Sequence, residues 1–440
     1  QCRSGLQHLQ SPKVYWKGSS WPRDYCCEVN FPAKNRVIRG GEHLTRKQTI
    51  AYVLILGAAM AMIPFTIDPF LPSFPAIADY FGVESRLIQL SLTSVTIGFA
   101  LGQLIIGPLS DAYGRRRPLL VVTALFAIST VAVIFSPTAE VFIVLRLLMG
   151  MSAAAATVIA QAIIRDLFSG MSQMKMLART YLIQGAAPII GPLVGSAASE
   201  FSGWQTMFWI MAMFGLLLLI GNHRYLIETL PIEKRRASTP RGLLRGYRNV
   251  IRDRIYVGLV LFAGFQISAL FVYLNTVPFL YQETFGLSEG EFGLAFAMSA
   301  TLSWLGVQTG SRLPKLFPPQ WLLLLYAFIG IGVGFALILT SSAGEFWLAQ
   351  GLFGLLLFNF GSTLTSIQTI ALLNHGEQAG TAAGLLGVSN FTFTSIFSLF
   401  YGFIATTNTA DIGLVIGGFY ALALVSLVFI SQPQKIERFS

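Results

Sequence analysis

Charge is what this chain has least of. Only 11% of its 440 residues are Asp, Glu, Lys or Arg, against about 25% in ordinary soluble domains. Cysteine is scarcer still: Cys2, Cys26 and Cys27 are the only three, and none follows them. A disulfide framework or thiolate metal centre is therefore excluded from the main body. Beyond residue 47 the histidines are His223 and His375 alone, both near helix ends, so neither a metal site nor the nucleophile–base pair of an enzyme is expected. No G-x-x-x-x-G-K-[ST] stretch is present, which removes the phosphate-cradling loop of ATP-driven machines. The net charge is +10, yet no polar domain gathers that charge into a patch, and nucleic acid is not an expected partner.

Apolar residues are abundant instead. They make up 54% of the chain, with 35 Phe and a mean hydropathy of +0.64, more than one soluble core can bury. Lipid must be the solvent for much of the chain. With roughly 20 apolar residues needed per crossing, twelve helices are expected, at 48–70, 86–109, 117–136, 141–164, 176–200, 205–223, 255–281, 291–312, 320–341, 346–373, 378–404 and 411–432. Runs such as LLVVTALFAISTVAVIF are apolar on every face, unlike the alternating strands of a membrane β-barrel. The fold class is all-α and polytopic.

Orientation follows from the basic residues. Segments 1–47, 115–117, 165–179, 224–254, 312–315 and 435–438 hold 28 of the 30 Lys and Arg. Twelve crossings put all six on one side, and the positive-inside rule makes that side cytoplasmic, with both termini. The polar stretch 224–254 separates a first half, 48–223, from a second, 255–432, with a short tail at 433–440. Two six-helix halves are the plan of transporters built from repeats. Within the linker, RGLLRGYRNVIRDR suits either an amphipathic helix on the membrane surface or a solvated connector. Residues 1–47 lack the apolar run of a cleavable signal and read as a disordered or non-native tail.

Two motifs add function. The loop 107–117 places Gly107, Asp111, Gly114, Arg115 and Arg116 at the spacing G-x-L-x-D-x-x-G-R-[KR]; the glycines suit a tight turn and the acid can pair with arginine. This matches the signature between helices two and three of the major facilitator superfamily. In the fifth span, Gly185, Pro188, Gly191, Pro192 and Gly195 resemble the glycine–proline signature of that superfamily's antiporters, with Ser196 where the pattern usually ends in a second Gly. Small residues permit close helix approach, and proline interrupts the hydrogen-bond ladder. Closer resemblance lies in TIDPFLPSFPAIADYFGV, FALGQLIIGPLSDAYGRRRP, LRLLMGMSAAAATVIAQAIIRDLF, VYLNTVPFLYQE and AGTAAGLLG. Together these look like the bicyclomycin-resistance (Bcr/CflA) family of bacterial drug:proton antiporters. The resemblance implies a multi-pass inner-membrane exporter, driven by the proton gradient without a bound cofactor, handling small molecules and acting as a monomer. A nutrient symporter or facilitator of the same fold is the alternative.

Ionisable groups inside a bilayer are functional candidates by default. Two qualify here. Asp68 lies near the end of the first span and Arg146 about five residues into the fourth, at similar depth given a rise of about 1.5 Å per residue. They are expected to face each other, and the resemblance implies that they take part in proton coupling. An acid that alternates between an apolar pocket and an adjacent arginine is a proton switch. Gln184, Gln266, Asn359 and Asn390 lie mid-span, and with Tyr273, Asn275 and Trp304 they are the candidate cavity residues, whereas Tyr281 is expected in the interfacial aromatic belt.

Overall fold

A computed structural model describes residues 46–235, 251–341, 344–373, 379–404 and 408–432. The N-terminal tail through residue 45, with its cysteines, lies outside these residues, as do His375, the C-terminal tail and most of the basic stretch RGLLRGYRNVIRDR.

Each expected span has its helix: α1 (Arg46–Ile67), α2 (Ser85–Tyr113), α3 (Arg116–Ile134), α4 (Ala139–Leu167), α5 (Gly170–Ser202), α6 (Trp204–Tyr225), α7 (Arg254–Phe279), α8 (Glu289–Arg312), α9 (Pro319–Thr340), α10 (Phe346–Leu373), α11 (Ala379–Ile404) and α12 (Thr409–Val425). Among the described residues, ten segments are long and apolar enough to cross a membrane, and α11 contributes a shorter apolar stretch, Gly384–Leu399. Helix α8 is long enough but more polar. Local chemistry sets the ends: Thr138, Asp253 and Asn408 cap α4, α7 and α12 through side-chain oxygens, and Ser288 with Glu291 forms a capping box on α8.

Two boundaries differ from expectation. Helix α1 stops three residues early, because Pro69 and Pro72 remove backbone donors, and Asp68–Ser73 continues as a 3₁₀ turn before a short helix, Phe74–Phe81. Conversely, the expected loop at Gly107 is helical: α2 runs through Gly107 and Pro108 to Tyr113, where Ser110 Oγ donates back to the Gly107 carbonyl. The turn itself is only Gly114–Arg115, with Gly114 at φ +90°.

The internal repeat, faint in the sequence, is plain in the packing. Helix α2 packs on α4, α3 on α6 and α1 on α5; six helices later, α8 packs on α10, α9 on α12 and α7 on α11. Glycine allows the closest of these approaches. A Cβ on Gly98 or Gly150 would strike backbone across the α2–α4 seam, and one on Gly306 or Gly361 would do the same across α8–α10. The two halves meet along α2–α11 and α5–α8.

Candidate functional site

The Asp68–Ser73 break is fully buried where the halves meet. Asp68 is the one buried carboxylate among the described residues, and its Oδ2 has no hydrogen-bond partner. Helix α5 presents its glycine face to this break. The position a Cβ would take on Gly191 lies 3.0 Å from Pro69 Cγ and 3.3 Å from Asp68 Cβ, and one on Gly195 would overlap the Pro69 carbonyl oxygen. The antiporter-type motif is thus the seat of the acid-bearing turn. Ser196, the departure from the usual pattern, faces Gly293 of α8 instead.

Arg146 lies at the same break without forming an ion pair to Asp68. Its Nη1 donates to the Thr66 carbonyl at 2.9 Å, and its guanidinium lies 4.1 Å from the Phe70 ring centre and 5.8 Å from that of Phe208. Such stacking on aromatic faces partly replaces lost hydration. Nε and Nη2 remain unpartnered. The two therefore share a location but not a bond, Arg146 donating to the Thr66 carbonyl instead.

From the opposite half Tyr273 comes within electrostatic reach of Asp68. Its ring is set by Phe296 and Phe353, at 5.9 and 5.2 Å between centres, and its buried hydroxyl neighbours Ser299. Beyond it lies a network that the sequence did not reveal. Tyr281 donates to Gln350 at 2.6 Å, and Gln350 donates to Ala295 O and Ser299 Oγ. Tyr281 is therefore a buried anchor, not an aromatic-belt residue as expected, because Gln350 satisfies its hydroxyl.

The remaining candidates are dispersed. Asn275 donates to Phe271 O and to Ser398 Oγ at 3.5 Å, where Ser398 bonds Thr93 of the other half at 2.6 Å. Asn359 ties α10 to the Tyr326 carbonyl of α9, and the Tyr420 hydroxyl neighbours both Asn359 and Gln266. Gln184 and Asn390 each keep an unpartnered buried oxygen, and Trp304 packs beside Gly185 at the α5–α8 crossing. One further motif proves structural: Gly286-Leu-Ser288-Glu-Gly290 has the G-x-S-x-G spacing of hydrolases, but Ser288 is the α8 cap, its hydroxyl engaged in the capping box with Glu291.

At the α2–α3 turn, Arg115 pairs with Asp111 at 2.6 Å and with Asp166 of α4 at 2.9 Å. Burial opposes its charge, yet the two acids outweigh that and raise its pKa above the ordinary arginine value. Glu228 completes the cluster, accepting from the Arg115 backbone N–H at 2.8 Å and the Arg116 N–H at 3.3 Å, so that it caps α3 from a distance in sequence. Gly114 has no side chain because the Glu228 carboxylate fills that space. Arg116 donates to the Leu226 and His223 carbonyls. Residues 226–230 are thus docked on the turn. Asp166 is less exposed than Asp111, with side-chain exposures of 19% and 43%. Asp166→Asn is accordingly expected to slow substrate turnover, measured at matched expression, more than Asp111→Asn; the reverse order would show that the exposed acid carries the motif's role.

Comparison with known proteins agrees with this architecture. The chain belongs to the Major Facilitator Superfamily, whose family model matches residues 54–398. It is 33% identical to the MFS-type transporter YdgK of Bacillus subtilis over 398 residues, covering 89% of this chain and 97% of that protein. The bicyclomycin resistance protein homolog of Haemophilus influenzae is 25% identical over 396 residues, 89% of this chain and 99% of that one. Among solved structures, a D-xylose–proton symporter superposes with a TM-score of 0.70 at 16% identity, covering 90% of this chain and all of that one, which speaks to the fold.

Proposed function

We propose that this transporter exports drug-like or amphipathic small molecules in exchange for protons, with Asp68 as the proton-carrying group. The carrying observation is the placement of one buried, unpartnered carboxylate at a helix break, seated on the α5 glycines where α8 of the other half also packs. A titrating group at an interface between moving halves biases whichever arrangement suits its charge state. Arg146 holds the break through Thr66 and Phe70, so that it positions the acid. Gln184, Gln266, Asn275, Asn359, Asn390 and Trp304, dispersed through the bundle, are the polar and aromatic groups from which substrate contacts would be drawn.

The setting is a bacterial inner membrane with both termini and the linker cytoplasmic, as charge sorting favours. In that orientation the Gln282–Pro72 and Gly290–Glu200 hydrogen bonds and the Phe74–Phe279 contact close the outer end of the bundle, and substrate would enter from the cytoplasm. The protein works as a monomer, with the proton gradient as its energy source and no bound cofactor. Support also comes from the name of the Haemophilus influenzae relative, which is a resistance protein.

The test is a susceptibility and accumulation panel in an efflux-deficient bacterial host. Expression is expected to lower accumulation of at least one amphipathic compound, and a proton uncoupler to restore it. Increased uptake of a nutrient, with no compound exported, would replace this function with that of a symporter.

A further inference from the structure

Three arginines follow Gly114, and two are engaged. Arg115 is held by Asp111 and Asp166, and Arg116 by the Leu226 and His223 carbonyls. Arg117 is exposed and has no partner among the described residues. It stands with Tyr113 at the mouth of an apolar groove of about 350 Å³ between α2 and α3.

The groove is deep because its floor is made of small residues. Ser152 and Ala155 of α4 lie at the bottom, and α4 comes near only because α2 has Gly102, where a Cβ would overlap the Met151 carbonyl oxygen. One wall runs from Gly102 to Tyr113 along α2 and the other from Arg117 to Leu125 along α3. At about 1.5 Å per residue the α2 wall is about 16 Å long, close to half of a hydrocarbon core about 30 Å thick. The slot therefore has the length of one leaflet, with its cation at the headgroup end. Several wall residues are turned away from the protein interior, Tyr113 being 63% and Val121 65% exposed. Tyr113 suits the interface between headgroups and hydrocarbon.

We propose that this groove binds an anionic phospholipid, one acyl chain lying in the slot and the phosphate on Arg117. A zwitterionic lipid would fill the slot equally well but would bring its own cation to Arg117. Discrimination therefore rests on net headgroup charge, and the apolar slot supplies the site. The α2–α3 turn and the facing walls of α2 and α3 over the α4 floor form this surface, so that occupancy braces the turn against the membrane.

The test uses the purified full-length chain in detergent, offered phosphatidylglycerol or phosphatidylcholine with identical acyl chains, with retained lipid read by native mass spectrometry. The wild type is expected to retain phosphatidylglycerol about fivefold more strongly, the contribution of one basic residue at a membrane surface. Arg117→Gln should abolish that preference, whereas Arg312→Gln, an exposed arginine at the same end of the bundle, should leave it intact. Ala155→Leu should lower retention of both lipids by filling the floor. Equal retention of the two lipids by the wild type, an unchanged preference in Arg117→Gln, or equal losses in Arg117→Gln and Arg312→Gln would each overturn the proposal. Arg117 is a surface residue, so its variant remains informative should Ala155→Leu fail to fold.

Discussion

Asp68→Asn is expected to abolish export driven by a pH gradient while leaving substrate binding and counterflow measurable. Asparagine keeps the size and one acceptor of the carboxyl group but cannot take up or release a proton near neutrality. It also removes the full desolvation cost of a buried charge, so the variant should fold at least as well as the wild type, and lost transport would not reflect lost protein. Proteoliposomes with an imposed pH gradient separate the two functions: uphill accumulation should vanish, whereas exchange of labelled for unlabelled substrate without a gradient should persist. Wild-type uphill transport by this variant would remove Asp68 from the mechanism and direct attention to Asp111, Asp166 or Glu283 at helix ends. Arg146→Gln makes an informative companion. Arg146 is hydrogen-bonded to Thr66 and not ion-paired to Asp68, so its loss should loosen the break, reducing turnover and stability together.

Much of this architecture is legible in the sequence because the bilayer imposes simple demands. A crossing segment must be apolar over about 20 residues, and basic residues avoid translocation, so the spans emerge from hydropathy and charge alone. Asp68 stands out for the same reason, being an acid where acids are costly. Neighbours across the fold are another matter. Nothing near Asp68 in the chain points to Tyr273 in the other half, and nothing near Arg115 points to Glu228, which lies more than a hundred residues on and caps α3 across the fold. The position of Tyr281 near a helix end points to the aromatic belt, whereas its buried partner Gln350 is on another helix. Pairings of this kind depend on three-dimensional closure. For Asp68 and Arg146, depth along two helices is readable from residue counts, whereas the Thr66 carbonyl that takes the guanidinium is not.

The glycine face of α5 offers the sharpest separation between packing and coupling. Gly195 lies against the Pro69 carbonyl so closely that a single added methyl group overlaps it. Proline-interrupted backbone cannot yield by slipping into a regular helix, and α5 is held on its other side by α8. Gly195→Ala must therefore push the Asp68–Pro69 turn away, at an overpacking cost of about 1–3 kcal/mol, and shift the carboxylate from its buried place between the halves. Loss of uphill transport is expected to approach that of Asp68→Asn, with a reduced thermal midpoint. Ser196→Gly is the control: it restores the more usual residue and removes atoms from the contact with Gly293, so transport should stay near the wild-type level. Gly221→Ala is a second control. A Cβ there comes no closer than 3.5 Å to Ile55, an ordinary van der Waals contact remote from the acid. Were Gly195→Ala to transport like these two, the α5 motif would be general helix packing, and the position of Asp68 would have to be set by Arg146 and the prolines alone.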